Sequence, residues 1–123
     1  MLKNIIFIAL GGGLGSVLRY LSNIYIGKFF PNKGYIATLF ANMIGCLLIG
    51  ILVGYFIKNH SSNEAFKLLL ITGFCGGFTT FSTFGLENYN LLQSQNYILT
   101  LSYIILSITI GIAFVGLGIY LTK

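Results

Sequence analysis

Residues 73–85 read GFCGGFTTFSTFG: four glycines, four hydroxyl side chains and four phenylalanines around one cysteine, in an apolar stretch long enough to cross a bilayer. A helix in hydrocarbon must satisfy its own backbone groups. A Gly-Gly followed by Thr-Thr at membrane depth is therefore tolerated only where protein or a water-filled cavity surrounds it. The pattern predicts a third membrane helix that is regular up to Gly73, breaks over Gly76 to Thr79 and ends near Glu87. The rest of the chain is expected to enclose that break.

Of the 123 residues, 56% are hydrophobic and 7% charged, and the mean hydropathy is +0.90, well outside the range of soluble domains. The fold class is an all-α integral membrane protein, a single domain over residues 1–123. Four helices are expected at about residues 4–26, 35–57, 65–86 and 97–121, each near the roughly 20 residues that span a hydrocarbon core of about 30 Å. Little remains outside the bilayer, so there is no room for a catalytic domain, and the chain is not expected to be an enzyme. The formal charge of +5 comes from lysines near segment ends, where they anchor to headgroups, and nucleic acid is not an expected partner. Cys46 and Cys75 lie in apolar segments without C-x-x-C or histidine pairing and read as packing residues rather than a disulfide or zinc site. Lys3 before an apolar run resembles a secretory leader. No small-residue cleavage site follows and Arg19 interrupts the run, so this segment is expected to stay as the first span.

Along that span Gly11 and Gly15, and Gly12 and Ser16, make small-xxx-small pairs for close helix contact. No strand precedes these glycines, which argues against a dinucleotide loop. Arg19 is the one permanent charge in the span; it can snorkel, pair structurally or serve a buried anion or carbonyl cluster. Residues 30–34, FPNKG, read as a turn. In the second span Thr38, Asn42 and Gly45 share a face, with Cys46, Gly50 and Gly54 as an adjacent small-residue stripe. The Asn42 amide either bonds across to another helix or lines a pore. Residues 58–64 form a polar loop holding His60, and the Asn59, His60, Ser61 glycosylation triplet is taken as a chance match. In the fourth span Thr100, Tyr103, Ser107 and Gly111 follow one helical face. Taken alone, Ser107 reads as a hydroxyl bonded back to its own helix.

With four spans, both termini and the 58–64 loop share one side. That side collects Lys3, Lys58, Lys67 and Lys123, against Lys28, Lys33 and Arg19 on the other. Four against three is almost no orienting instruction, so insertion in both directions is expected. The small-residue stripes ask for helix partners, and four short helices cannot enclose a polar pathway alone. Together these predict an antiparallel homodimer with two broken spans facing each other near the midplane, as broken helices do in transporters built from inverted repeats.

An unwound segment frees carbonyls, and the Gly76 and Thr79 carbonyls of two copies could hold a cation of sodium size; a simple glycine kink is the alternative. Phe78, Phe81 and Phe84 recur every third residue among Thr79, Thr80, Ser82 and Thr83. Ring edges and hydroxyls can replace the water of a small, hard anion without fixed positive charge, although an aromatic stripe at this spacing can also be packing.

The motifs GGGLGSVLRY (residues 11–20), ATLFANMIGCLLIG (37–50) and GFCGGFTTFSTF (73–84) resemble those of the Fluc/CrcB family of small bacterial fluoride channels over nearly the whole chain. The resemblance implies a fluoride-selective channel of the cell inner membrane that passively exports cytoplasmic fluoride and so protects against its toxicity. It further implies a dual-topology antiparallel homodimer with two pores and a central structural sodium. By motif position, Asn42, Phe81 and Phe84 would be pore residues, and Gly76 and Thr79 would give the sodium carbonyls. Ser82, Thr83 and Glu87 would continue a polar track that Tyr103 and Ser107 face, and Arg19 would have a structural or vestibule role. Ala37, Cys46 and Gly111 depart from the usual pattern, and Gly111 can donate nothing to an ion. Two rivals are a proton-coupled multidrug exporter, which needs an intramembrane carboxylate that the first span lacks, and a non-transporting scaffold subunit.

Overall fold

The computed structural model describes residues 1–60 and 62–123; the glycosylation triplet ends on Ser61, outside the described residues. Every element among them is helical: α1 (Leu2–Phe29), α2 (Gly34–Lys58), α3 (Glu64–Lys67), a π-helical segment (Leu68–Cys75), α4 (Gly76–Phe78), α5 (Ser82–Gln93) and α6 (Tyr97–Leu121). Elements α3 to α5 make one interrupted third span, Glu64–Gln93, and all four spans are long and apolar enough to cross a membrane. The chain is a multi-pass membrane protein.

The turns follow local chemistry. Pro31 restricts Phe30, which leaves the helical region at φ −130°, and Asn32 then takes the left-handed conformation at φ 64°, which asparagine tolerates best after glycine. His60 sits in the second turn at φ 50°, a loop residue. Asn63 caps α3 by accepting from the Phe66 amide at 3.3 Å, and Asn96 caps α6 by accepting from Leu99 at 3.4 Å, each meeting an amide that the first turn leaves without a partner. Lys58 Nζ donates to the Lys123 carbonyl at 3.2 Å, which puts the end of α2 beside the end of α6.

Helix packing rests on glycine. Lipid is as apolar as leucine, so membrane helices gain from close backbone approach rather than from burying large side chains. A Cβ on Gly11 would collide with the Leu69 carbonyl, and one on Gly15 with the Phe74 carbonyl. From the third span, a Cβ on Gly73 would stand 2.9 Å from the Ile8 carbonyl, and one on Gly77 would strike that of Gly12. Similarly Gly50 admits the Val115 carbonyl of α6, and Gly118 admits α2 at Leu47. The small-residue stripes expected to seek a second copy are thus spent inside one chain, and they give no argument for a partner.

The third span departs from expectation in three ways. It is π-helical rather than regular before Gly73. Gly76 and Gly77 are helical, Gly76 at φ −63° and ψ −35°, so the break falls later, at Thr79 (φ −86°, ψ 159°), Thr80 and Phe81. Gly77 serves the approach of α1, and the two threonines carry the extended turn. Helix α5 also runs on to Gln93 instead of ending near residue 86, because the polar groups there find partners.

Gly15→Ala is expected to cost about 1–3 kcal/mol, as overpacking does, whereas Gly13→Ala, with nothing within 4 Å of its Cβ, should gain up to about 1 kcal/mol of helix propensity. Thermal unfolding of the two variants in detergent checks the sign of each.

Candidate functional site at the helix break

The break is held from outside the third span. Asn42, on α2, accepts from the Thr80 amide through Oδ1 at 2.8 Å and donates to the Thr80 carbonyl through Nδ2 at 3.1 Å. In an unbroken helix that amide would donate to the Gly76 carbonyl, which is left without its helical donor. Thr79 bonds back to Cys75 through both its amide (3.0 Å) and its hydroxyl (2.9 Å), closing the helix before the break. Thr80 opens the next one, its Oγ1 accepting from the Thr83 amide at 3.2 Å and lying 3.4 Å from Ser82 Oγ. Among the described residues Arg19 meets no carboxylate: its Nε donates to the Gly77 carbonyl at 3.1 Å, another acceptor the break releases.

Beside the break lies a cavity of about 560 Å³, open along one side of the chain, whose lining includes Asn42, Gly76, Thr79, Phe81, Phe84 and Ser107. Only one of the two Nδ2 hydrogens of Asn42 is used on Thr80, so the other is available here. Ser107 Oγ is buried and makes no hydrogen bond, so the back-bonded reading of this hydroxyl does not hold. Its neighbours on α6 differ: Thr100 does bond back, to the Asn96 carbonyl at 2.8 Å, and Gly111 faces Cys46, whose Sγ lies 3.5 Å from the Cβ that Gly111 lacks. The Phe81 ring is 83% exposed and stands 5.9 Å from Phe84, which meets Tyr103 edge-on at 4.9 Å.

From Phe84 the polar groups continue to Glu87. Thr38 donates to one carboxylate oxygen and Tyr103, 3% exposed, to the other, both at 2.8 Å. Glu87 also borders a smaller pocket of about 300 Å³ with Asn32, Tyr35, Asn90 and Ser94. The structure therefore brings Asn42, Phe81, Phe84, Ser107, Tyr103 and Glu87 into one line, with Gly76 and Thr79 at the cavity. Ser82 and Thr83 line neither pocket, and Arg19 sits at the carbonyl of Gly77. Three participants escape a reading of the sequence for site residues. Thr38 sits on the Asn42 face one turn earlier, which was the available signal. Thr80 was legible as one hydroxyl of the segment but not as the backbone partner of Asn42, and Asn88, which donates to the Phe84 carbonyl at 2.9 Å, carried no signal, because these pairings depend on where the helix breaks. Among the described residues no group of three His, Cys, Asp or Glu could hold a metal.

Four apolar helices with a broken third span and a line of polar side chains at the break define a small polytopic membrane protein. The profile of the family described as CrcB-like protein, Camphor Resistance (CrcB), matches residues 6–119, and the chain belongs to that family. Relatives described as fluoride-specific ion channel FluC include one from Flavobacterium psychrophilum, 46% identical over 99% of this chain and 98% of its own. Another, from Azobacteroides pseudotrichonymphae, is 46% identical over 100% and 98%, and a third, from Gloeothece citriformis, is 45% identical over 97% and 96%.

Removing one donor to the partly buried Glu87 carboxylate, by Tyr103→Phe or Thr38→Val, should cost about 1.5–3 kcal/mol, the range for hydrogen bonds to charged groups. In a double-mutant cycle on detergent stability, Glu87→Gln should couple to both changes; strict additivity would show that the bonds carry no energy.

Proposed function

We propose that the chain is the subunit of a fluoride-selective channel that lets cytoplasmic fluoride leave the cell down its gradient. The observation that carries this reading is the cavity in which the unpartnered Ser107 hydroxyl, the spare Asn42 N–H and the edges of Phe81 and Phe84 meet. A small, strongly hydrated anion needs donors to replace its water; fixed positive charge would hold it too long. The only arginine is engaged with Gly77. The descriptions of the relatives, at 41–46% identity over nearly the full length, support the same ion.

Fluoride passes from the cavity along Phe84 toward Tyr103 and Glu87, with Ser82 and Thr83 at the start of α5. The functional unit is an antiparallel dimer with two such paths. The near balance of lysines at the two ends supports dual insertion, and a cavity open along one side, with Phe81 projecting from it, needs a second copy to wall it. The Gly76 and Thr79 carbonyls of both copies would hold a structural sodium. Asn42 supports this by diverting the Thr80 amide from the Gly76 oxygen.

Liposomes holding the purified protein should release loaded fluoride, but not chloride, well above protein-free vesicles, read with ion-selective electrodes; no fluoride release would overturn the proposal. In the same assay Phe81→Ile and Asn42→Ala should each slow flux by roughly tenfold or more. Asn42→Ala should also lower stability by about 1–3 kcal/mol, because it orphans both backbone groups of Thr80. Prolonged sodium depletion should weaken dimer assembly and flux, and unchanged values for both would remove the central cation.

A further inference from the structure

Three sulfur-bearing side chains line the cavity. Met43 and Cys46 reach it from α2, and Cys75 from the last turn of the π-helical segment. Cys46 Sγ lies 3.5 Å and the Met43 methyl 3.7 Å from the point a Cβ on Gly111 would occupy. The two side-chain ends therefore converge over bare α6 backbone. Both thiols are free, and Cys75 is only 2% exposed. None of the three residues is engaged in a hydrogen bond through its side chain.

Thiols and thioethers prefer soft, polarisable cations, whereas hydroxyls and carbonyls on the other walls suit hard ions. We propose that Met43, Cys46 and Cys75 form a capture site for a thiophilic monovalent cation of the silver(I) or copper(I) class, inside the cavity assigned above to fluoride. On capture of Ag⁺ the Cys46 thiol gives its proton to water and its sulfur bonds the metal, while Cys75 and Met43 coordinate as neutral sulfur donors. No electron is transferred. The product is neutral, so it avoids the large cost of holding an ion in low-dielectric surroundings. A metal lodged there stands beside Asn42 and Ser107 and closes the path between them.

The metal site rests on the three sulfur residues that share this cavity; only the block rests on the channel reading. Purified protein titrated with silver nitrate in chloride-free buffer should bind one silver per chain, counted by native mass spectrometry. Met43→Leu should weaken binding by about tenfold with both thiols present, and the Cys46→Ser, Cys75→Ser double variant should bind none. Two silver ions per native chain, with each single cysteine variant retaining one at unchanged affinity, would overturn the shared site. So would a Met43→Leu protein that binds as tightly as the native one. Size-exclusion chromatography confirms that each variant is folded before it is scored. In liposomes silver should slow native fluoride release by at least about tenfold and leave the double variant at its own silver-free rate. Binding with no slowing would overturn the block and the placing of this cavity on the conduction path, while the sulfur site would stand.

Discussion

The amide of Asn42 held against the backbone of Thr80 is the interaction on which the remaining geometry depends. A break in a membrane helix orphans amides and carbonyls where water cannot reach them, and each costs several kcal/mol if left alone. One asparagine answers a donor and an acceptor of the same residue, and Arg19 answers a third group at Gly77. With those contacts in place the chain can turn at Thr79 to Phe81, start α5 with its own register and present Phe84 and Glu87 to α2 and α6.

Once that turn is fixed, the side chains downstream are placed by ordinary helical spacing. Phe84 and Glu87 lie three residues apart and reach the same neighbour, Tyr103, one through its ring and the other through its hydroxyl. Tyr103 thus joins an apolar contact to a charged one at the seam of α5 and α6. Thr38 closes the group from α2, one turn from Asn42. Second and third spans are therefore tied twice, at the break and a helical turn of α2 away from it, and the cavity lies beside the tie at Asn42.

The four spans were legible from hydropathy, since apolar length is a local property. So was the existence of a break, because Gly-Gly followed by Thr-Thr is a poor continuation of a regular helix in lipid. Its position was misread by about three residues. Glycine has two meanings in a membrane helix, freedom of backbone and absence of a side chain, and at Gly73 and Gly77 the second applies: they face α1. The residue that stabilises the true break is 38 positions away in sequence, beyond any local pattern. The glycine stripes were legible as contact surfaces but not as to partner. The extent of α5 was hidden because Glu87, Asn88 and Asn90 look like an interface until Thr38 and Tyr103 are seen to donate to Glu87 and the Phe84 carbonyl to accept from Asn88.

The π-helical segment carries a further consequence. Contacts with α1 recur at Leu69, at Gly73 and Phe74, and at Gly77 and Phe78, a repeat of four to five residues, wider than the 3.6 of an α-helix. Such wide turns arise where a helix accommodates an extra residue without changing its ends. Residues 68–75 are thus a slack length in an otherwise tightly registered molecule. A homologue could lose one residue there, tighten to an α-helix and still deliver its threonines to the same asparagine. The same loss in α2 would rotate Asn42 away from them. Tolerance to change in chain length should therefore be concentrated in half of one span, next to the most demanding geometry in the protein.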